Sequence, residues 1–160
     1  MSTKLTTQAA QEALPEPLTV LLETASQSVL QSLTARLRAG GFDTITESHL
    51  VLFGNLDCGA THAAQIAHRM QVSRQAISKT LRELQALGFI QLDDDHHRRN
   101  QKLVVMTKRG TQLALAARAE LRDIETAIAN EIGAYAMAAL RDALEKGWGN
   151  AVGPKRATAG

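Results

Sequence analysis

A single cysteine, Cys58, in 160 residues excludes an intramolecular disulfide framework and any paired-cysteine zinc site. Aromatic residues are as scarce: Phe42, Phe53, Phe89, Tyr135 and Trp148 make up 3% of the chain. A core must therefore be assembled from Leu, Ile, Val and Ala, which suits packed helices. No apolar run approaches the ~20 residues that a membrane span requires, so no membrane partner is expected. Residues 1–14 lack the basic-then-apolar pattern of an export signal, and the expected location is the cytoplasm. Also missing are a glycine-rich phosphate loop, a nucleophile elbow and a Ser/His/Asp order, so neither an enzyme nor a cofactor is expected. Asp93-Asp94-Asp95-His96-His97 holds metal-ligand types in a row, but adjacent loop residues rarely converge on one ion. His62 and His68 fall on poorly matched helix faces, and no metal is expected.

What is present is an ordinary globular composition, 44% hydrophobic and 21% charged. It supports one domain, or one domain with a dimerisation extension, without metal or disulfide staples. The charge is unevenly placed. Residues 1–61 carry 3 basic and 6 acidic side chains, residues 62–110 carry 9 and 4, and residues 111–160 carry 6 of each. The excess of +5 in the central segment points to a polyanion-facing module.

Residues 1–14 read as a tail. Pro15-Glu16-Pro17 opens a helix whose apolar stripe is Leu18, Leu22, Ala25, Val29, Leu33 and Leu37, and Gly40-Gly41 ends it. Thr46 caps a second helix through Leu56, Thr61 a third from His62 to Met70, and Ser73 a fourth to Leu87. The period then changes: Phe89–Leu92 and Lys102–Met106 are strand-like, joined by a polar tip, Asp93 to Gln101. A fifth helix capped near Thr111 carries Leu113, Ala117, Leu121, Ile124, Ile128 and Ile132. Gly133 separates it from a sixth, Ala134 to Lys146. Residues 148–160 read as a second tail.

Two short helices with a tight turn, then a hairpin, inside the basic segment, describe a winged helix-turn-helix. The expected fold is mainly α with a small β-wing. Its fourth helix puts Ile77, Leu81, Leu84 and Leu87 inward, leaving Ser73 at its start and Arg74, Gln75, Ser78, Lys79 and Arg82 outward. Arginine pairs bidentately with guanine, glutamine with adenine, and serine and lysine hold phosphates or bases. No acid interrupts that face until Glu83, so it is read as a double-stranded-DNA surface. A winged helix that serves only as a protein–protein module is the alternative, though such interfaces favour aromatic and apolar anchors.

The stretch Gln71–Leu84, then Leu87-Gly88-Phe89-Ile90, resembles the recognition helix and first wing strand of MarR-type regulators (multiple antibiotic resistance regulators). Leu103–Gly110 resembles their second wing strand and its exit. The resemblance implies a homodimer whose first, fifth and sixth helices intertwine, and a repressor relieved by a small-molecule effector or by oxidation. It divides the chain into dimerisation helices at 15–40 and 111–147 around a DNA-binding lobe at 41–110. Dimerisation is assigned to Leu18, Leu22, Leu121, Ile124, Ile128 and Ile132, because the apolar stripes exceed what the lobe can cover. The operator should be pseudo-palindromic, with half-sites about 10 base pairs apart. An effector pocket is expected between the dimer helices and the DNA lobe, lined by residues such as Leu22, His49 and Phe53, which core packing explains equally well.

The wing departs from the family pattern of an acid two residues before a minor-groove arginine. Counting back from Met106 puts Arg98 at the acid position and Asn100 at the arginine position. A one-residue loop difference brings Arg99 into place instead, with His97 where the acid belongs. Arg98, Arg99 and Lys102 are the wing candidates for DNA contact. Cys58 is the candidate for redox sensing: a helix N-terminus favours a reactive thiolate and Asp57 opposes it. Oxidation-sensing branches of the family place their cysteine in the first helix, where this chain has none.

Overall fold

The computed structural model describes residues 15–56, 60–94 and 102–148. The element order is α1 (Leu18–Ala39), α2 (Glu47–Phe53), β1 (Ala60–His62), α3 (Ala63–Arg69), α4 (Arg74–Ala86), β2 (Ile90–Asp94), β3 (Lys102–Met106), α5 (Lys108–Ile132) and α6 (Ala134–Glu145). The fold is mainly α with a small antiparallel sheet, as the sequence pattern requires.

Local chemistry sets the boundaries. Pro17 starts α1, its carbonyl accepting from the N–H groups of Val20 and Leu21. Thr46 caps α2, with Oγ1 3.3 Å from the His49 N–H that it accepts. That helix ends at Gly54 rather than at Leu56. Leu56 lies beyond the helix and packs against the core. α5 starts earlier than expected, because Thr107 rather than Thr111 provides the cap: Thr107 Oγ1 accepts from Gly110 N–H at 3.0 Å. Gly133, at φ 92°, separates α5 from α6 in a left-handed conformation that glycine adopts without strain.

Among the described residues the sheet has three strands in the order β1-β3-β2. Two were expected from the sequence. The third, β1, pairs Ala60 with Val105 and His62 with Leu103, so Thr61 belongs to a strand and does not cap α3. β2 also runs further than its apolar residues suggest. Asp93 pairs with Leu103 and Asp94 with Lys102, and the Lys102 ammonium meets the Asp94 carboxylate at 2.6 Å. A cross-strand ion pair extends the ladder into what reads as a polar tip.

The core gathers Leu33 and Leu37 of α1, Ile45, Leu52 and Phe53, Ile66 of α3, Ile77, Leu81 and Leu84 of α4, Phe89 and Ile90, Val104 of β3, and Leu113 and Ile124 of α5. Phe89 is its hub, with ring centroids 6.2 Å from Phe42 and 6.4 Å from Phe53. The C-terminal half of α1 lies against α5. Burying a leucine or isoleucine here stabilises the chain by about 1.5–3 kcal/mol each, and that locks α4 onto the rest of the lobe. No described helix is long and apolar enough to cross a membrane.

Candidate nucleic-acid interface

Helix α4 follows α3 through a turn in which Gln71 holds φ 53°, a left-handed conformation unusual for a residue with a side chain. Ser73 then starts α4, its Oγ accepting from Ala76 N–H at 3.1 Å. Ile77, Leu81 and Leu84 are buried, so the inner face is fixed. Arg74, Gln75, Lys79 and Arg82 are exposed on the other side, with the Lys79 side chain 81% accessible. Ser78 differs from them. It is half-buried, and its hydroxyl donates to the Arg74 carbonyl at 2.7 Å. Arg82 Nε donates to the Ser78 carbonyl at 3.2 Å, which lays that side chain along the helix. Arg74, Gln75 and Lys79 therefore form the forward part of a basic, donor-rich surface. A major groove admits a single helix of this kind.

Sequence reasoning treated Glu83 only as the end of that face and His49 as a pocket residue. The structure brings them together. His49 is buried; its Nδ1 accepts from Thr46 N–H at 3.3 Å and its Nε2 lies 3.2 Å from Glu83 Oε2. The other carboxylate oxygen lies 3.8 Å from Lys79 Nζ. The spacing of Thr46 to His49, N-cap to third helical position, is the signal that identifies the capping role.

At the wing, Lys102 is exposed and tied to Asp94. Arg98 and Arg99, with Cys58, lie outside the described residues. Behind the wing, Thr107 fastens three elements together. Its Oγ1 donates to the Gly88 carbonyl at 2.7 Å and lies 3.1 Å from the Phe89 carbonyl, while its backbone N–H also donates to Phe89 at 3.1 Å. The Arg109 guanidinium sits 4.7 Å over the Phe89 ring. Among the described residues no group of three His, Cys, Asp or Glu is placed to hold a metal.

The six residues assigned to dimerisation divide. Leu18 is 58% and Ile132 45% exposed, and Leu22, Leu121 and Ile128 are partly buried. Ile124 is buried in the chain's own core. α6 has no buried residue, and Leu140 and Leu144 are exposed on it. Between α1, α2, the end of β3 and α5 lies a cavity of about 370 Å³. Leu33, Phe53, Met106, Leu113, Ala117 and Leu121 make its wall largely apolar, and Thr111 and Arg118 add polar groups. Phe53 is in that lining; Leu22 and His49 are not.

Residues 48–100, from α2 into the wing, match the family model described as MarR family. No curated protein matches the sequence. Solved structures share the fold at low identity. The reduced form of MarR from E. coli superposes with a TM-score of 0.70 at 18% identity, over 82% of this chain and 96% of that one. A MarR-family transcriptional regulator from Rhodococcus sp. RHA1 gives 0.69 at 20%, over 84% and 94%. CouR from Rhodococcus jostii RHA1, solved with bound p-coumaroyl-CoA, gives 0.65 at 18%, over 84% and 93%. The resemblance carried by the fourth helix and the wing is therefore to the family that matches. The fold is that of MarR-type transcriptional regulators, a class of DNA-binding proteins and not of enzymes.

Proposed function

We propose that this chain, with its MarR-family segment and fold, is a cytoplasmic, homodimeric repressor that reads double-stranded DNA through α4 and releases it on binding a small molecule. The observation that carries the reading is the division of α4. Three buried aliphatic residues fix one side, and Arg74, Gln75, Lys79 and Arg82 stand out on the other. Such donors discriminate bases in the major groove, while Arg98, Arg99 and Lys102 of the wing supply backbone or minor-groove contacts.

The dimer is supported by what the chain leaves open. Leu18, Leu21, Ile132, Leu140 and Leu144 are exposed on the helices outside the DNA lobe, and a symmetry mate covers such a surface economically. Two copies of α4 would then lie roughly 34–36 Å apart, facing an inverted repeat. For the effector, the apolar cavity with Arg118 and Thr111 in its lining suits an amphipathic anion with a flat or aliphatic body. CouR, solved with bound p-coumaroyl-CoA, supports this choice of effector class.

The test has three readouts. Light scattering should give twice the 17.3 kDa chain mass. Selection from random duplexes should return an inverted repeat whose affinity falls steeply with salt. Titration of that complex with p-coumarate and p-coumaroyl-CoA should release the DNA. A monomer that selects no sequence would refute the reading.

A further inference from the structure

A part-buried polar contact, His49 with Glu83, links α2 to the reading helix, and the DNA-binding face does not itself require it. Glu83 is the single acid of α4 and lies 34 residues from His49 in sequence. Around the helix it falls about 40° from Lys79, at the margin of the exposed donor face. An unrestrained carboxylate there would repel the backbone and offer an acceptor to the wrong base edges. His49 prevents this. Its Nδ1 accepts from Thr46 N–H, which places the ring proton on Nε2, and Nε2 donates to Glu83 Oε2 at 3.2 Å. The ring cannot drift, because it is buried and held by the cap that starts α2.

We propose that His49 and Glu83 are positioning residues for sequence discrimination: the imidazole draws the carboxylate back from the DNA face and fixes the rotation of α4 against α2. This proposal rests on the DNA-reading assignment above. Neither residue need touch a base. The Lys79–Glu83 ion pair is too exposed and too long at 3.8 Å to supply this positioning.

Asparagine and glutamine separate the two nitrogens of the ring. In His49→Asn the amide oxygen takes the place of Nδ1 and keeps the cap, but nothing reaches Glu83. In His49→Gln the amide nitrogen reaches the place of Nε2 and keeps the contact. The probe is the duplex that the wild-type protein selects from a random library, ~20 base pairs long, set against a scrambled duplex of equal length. The ratio of the two affinities is the readout, since partial unfolding lowers both equally and cancels. His49→Asn and Glu83→Ala should each lower the ratio about tenfold, and the double variant no further, as two halves of one contact do. His49→Gln and Glu83→Gln, which preserve a donor and an acceptor, should stay within about twofold of wild type.

A ratio unchanged in His49→Asn, or losses that add in the double variant, would overturn the positioning role while leaving DNA reading intact. Equal gains in affinity for both duplexes in Glu83→Ala and Glu83→Gln would also overturn it, because Glu83 would then act only as a charge. Wild-type protein that selects no sequence would overturn the DNA-reading assignment and this proposal with it.

Discussion

Gly110 sits in the first turn of α5, where alanine is ordinarily the better helix former by about 1 kcal/mol. The expectation here is the reverse. A Cβ built on Gly110 would lie 2.1 Å from the Phe89 carbonyl oxygen, 3.1 Å from its carbon and 3.4 Å from the Phe53 ring. Relief needs a shift of about 1 Å, and neither side yields easily. Phe89 is fully buried, and its carbonyl accepts from Thr107, whose hydroxyl in turn binds Gly88 and Gly110. Overpacking of this kind costs about 1–3 kcal/mol. Two stretched hydrogen bonds add about 1 kcal/mol each, and helix propensity returns about 1. Gly110→Ala should therefore destabilise the fold by about 2–4 kcal/mol. In urea, at an m-value near ~2 kcal/mol/M, the midpoint should fall by about 1–2 M. Gly54→Ala is the internal control: its Cβ would meet the Leu50 carbonyl at an ordinary 3.5 Å with φ −63°, so its midpoint should hold or rise slightly. A Gly110→Ala midpoint within about 0.5 M of wild type would mean that the Phe89 carbonyl gives way without cost.

Removing the α4 cap by Ser73→Ala should cost about 1 kcal/mol in the same urea titration, with DNA affinity lowered for every sequence alike. Arg74→Ala or Gln75→Ala should lose about 1–3 kcal/mol of operator binding and relax preference at one base pair per half-site, read by competition with single-base variants of the selected duplex. Ile132→Glu combined with Leu18→Glu should give a folded monomer by light scattering, since both side chains are exposed in the single chain. Ile124→Glu should instead unfold the chain, visible as lost helical circular dichroism, because that side chain fills the core.

The inner and outer faces of α4 were legible because burial there follows a strict helical period and charge avoids one side. Ser73 and Thr46 were legible as caps for the same local reason. What the sequence concealed depends on partners distant along the chain. β1 is three residues long, and only pairing with Val105, Val104 and Leu103 makes it a strand. Asp93 and Asp94 read as a loop until Lys102 stands opposite. Thr107 and Thr111 are equivalent caps by local pattern; the carbonyls of Gly88 and Phe89 decide between them. His49 was legible as a buried residue but not as a link, since Glu83 comes from another helix. Ile124 and Ile132 share one stripe, and only the reach of α1 along α5 tells which is covered within the chain.

Thr107 serves both neighbours of the wing through one residue: its hydroxyl and N–H hold the carbonyls of Gly88 and Phe89 just past α4, and the same hydroxyl caps α5. The exit of α4 and the entry of α5 are thus one hydrogen-bonded joint, and fraying at either helix end loosens the other.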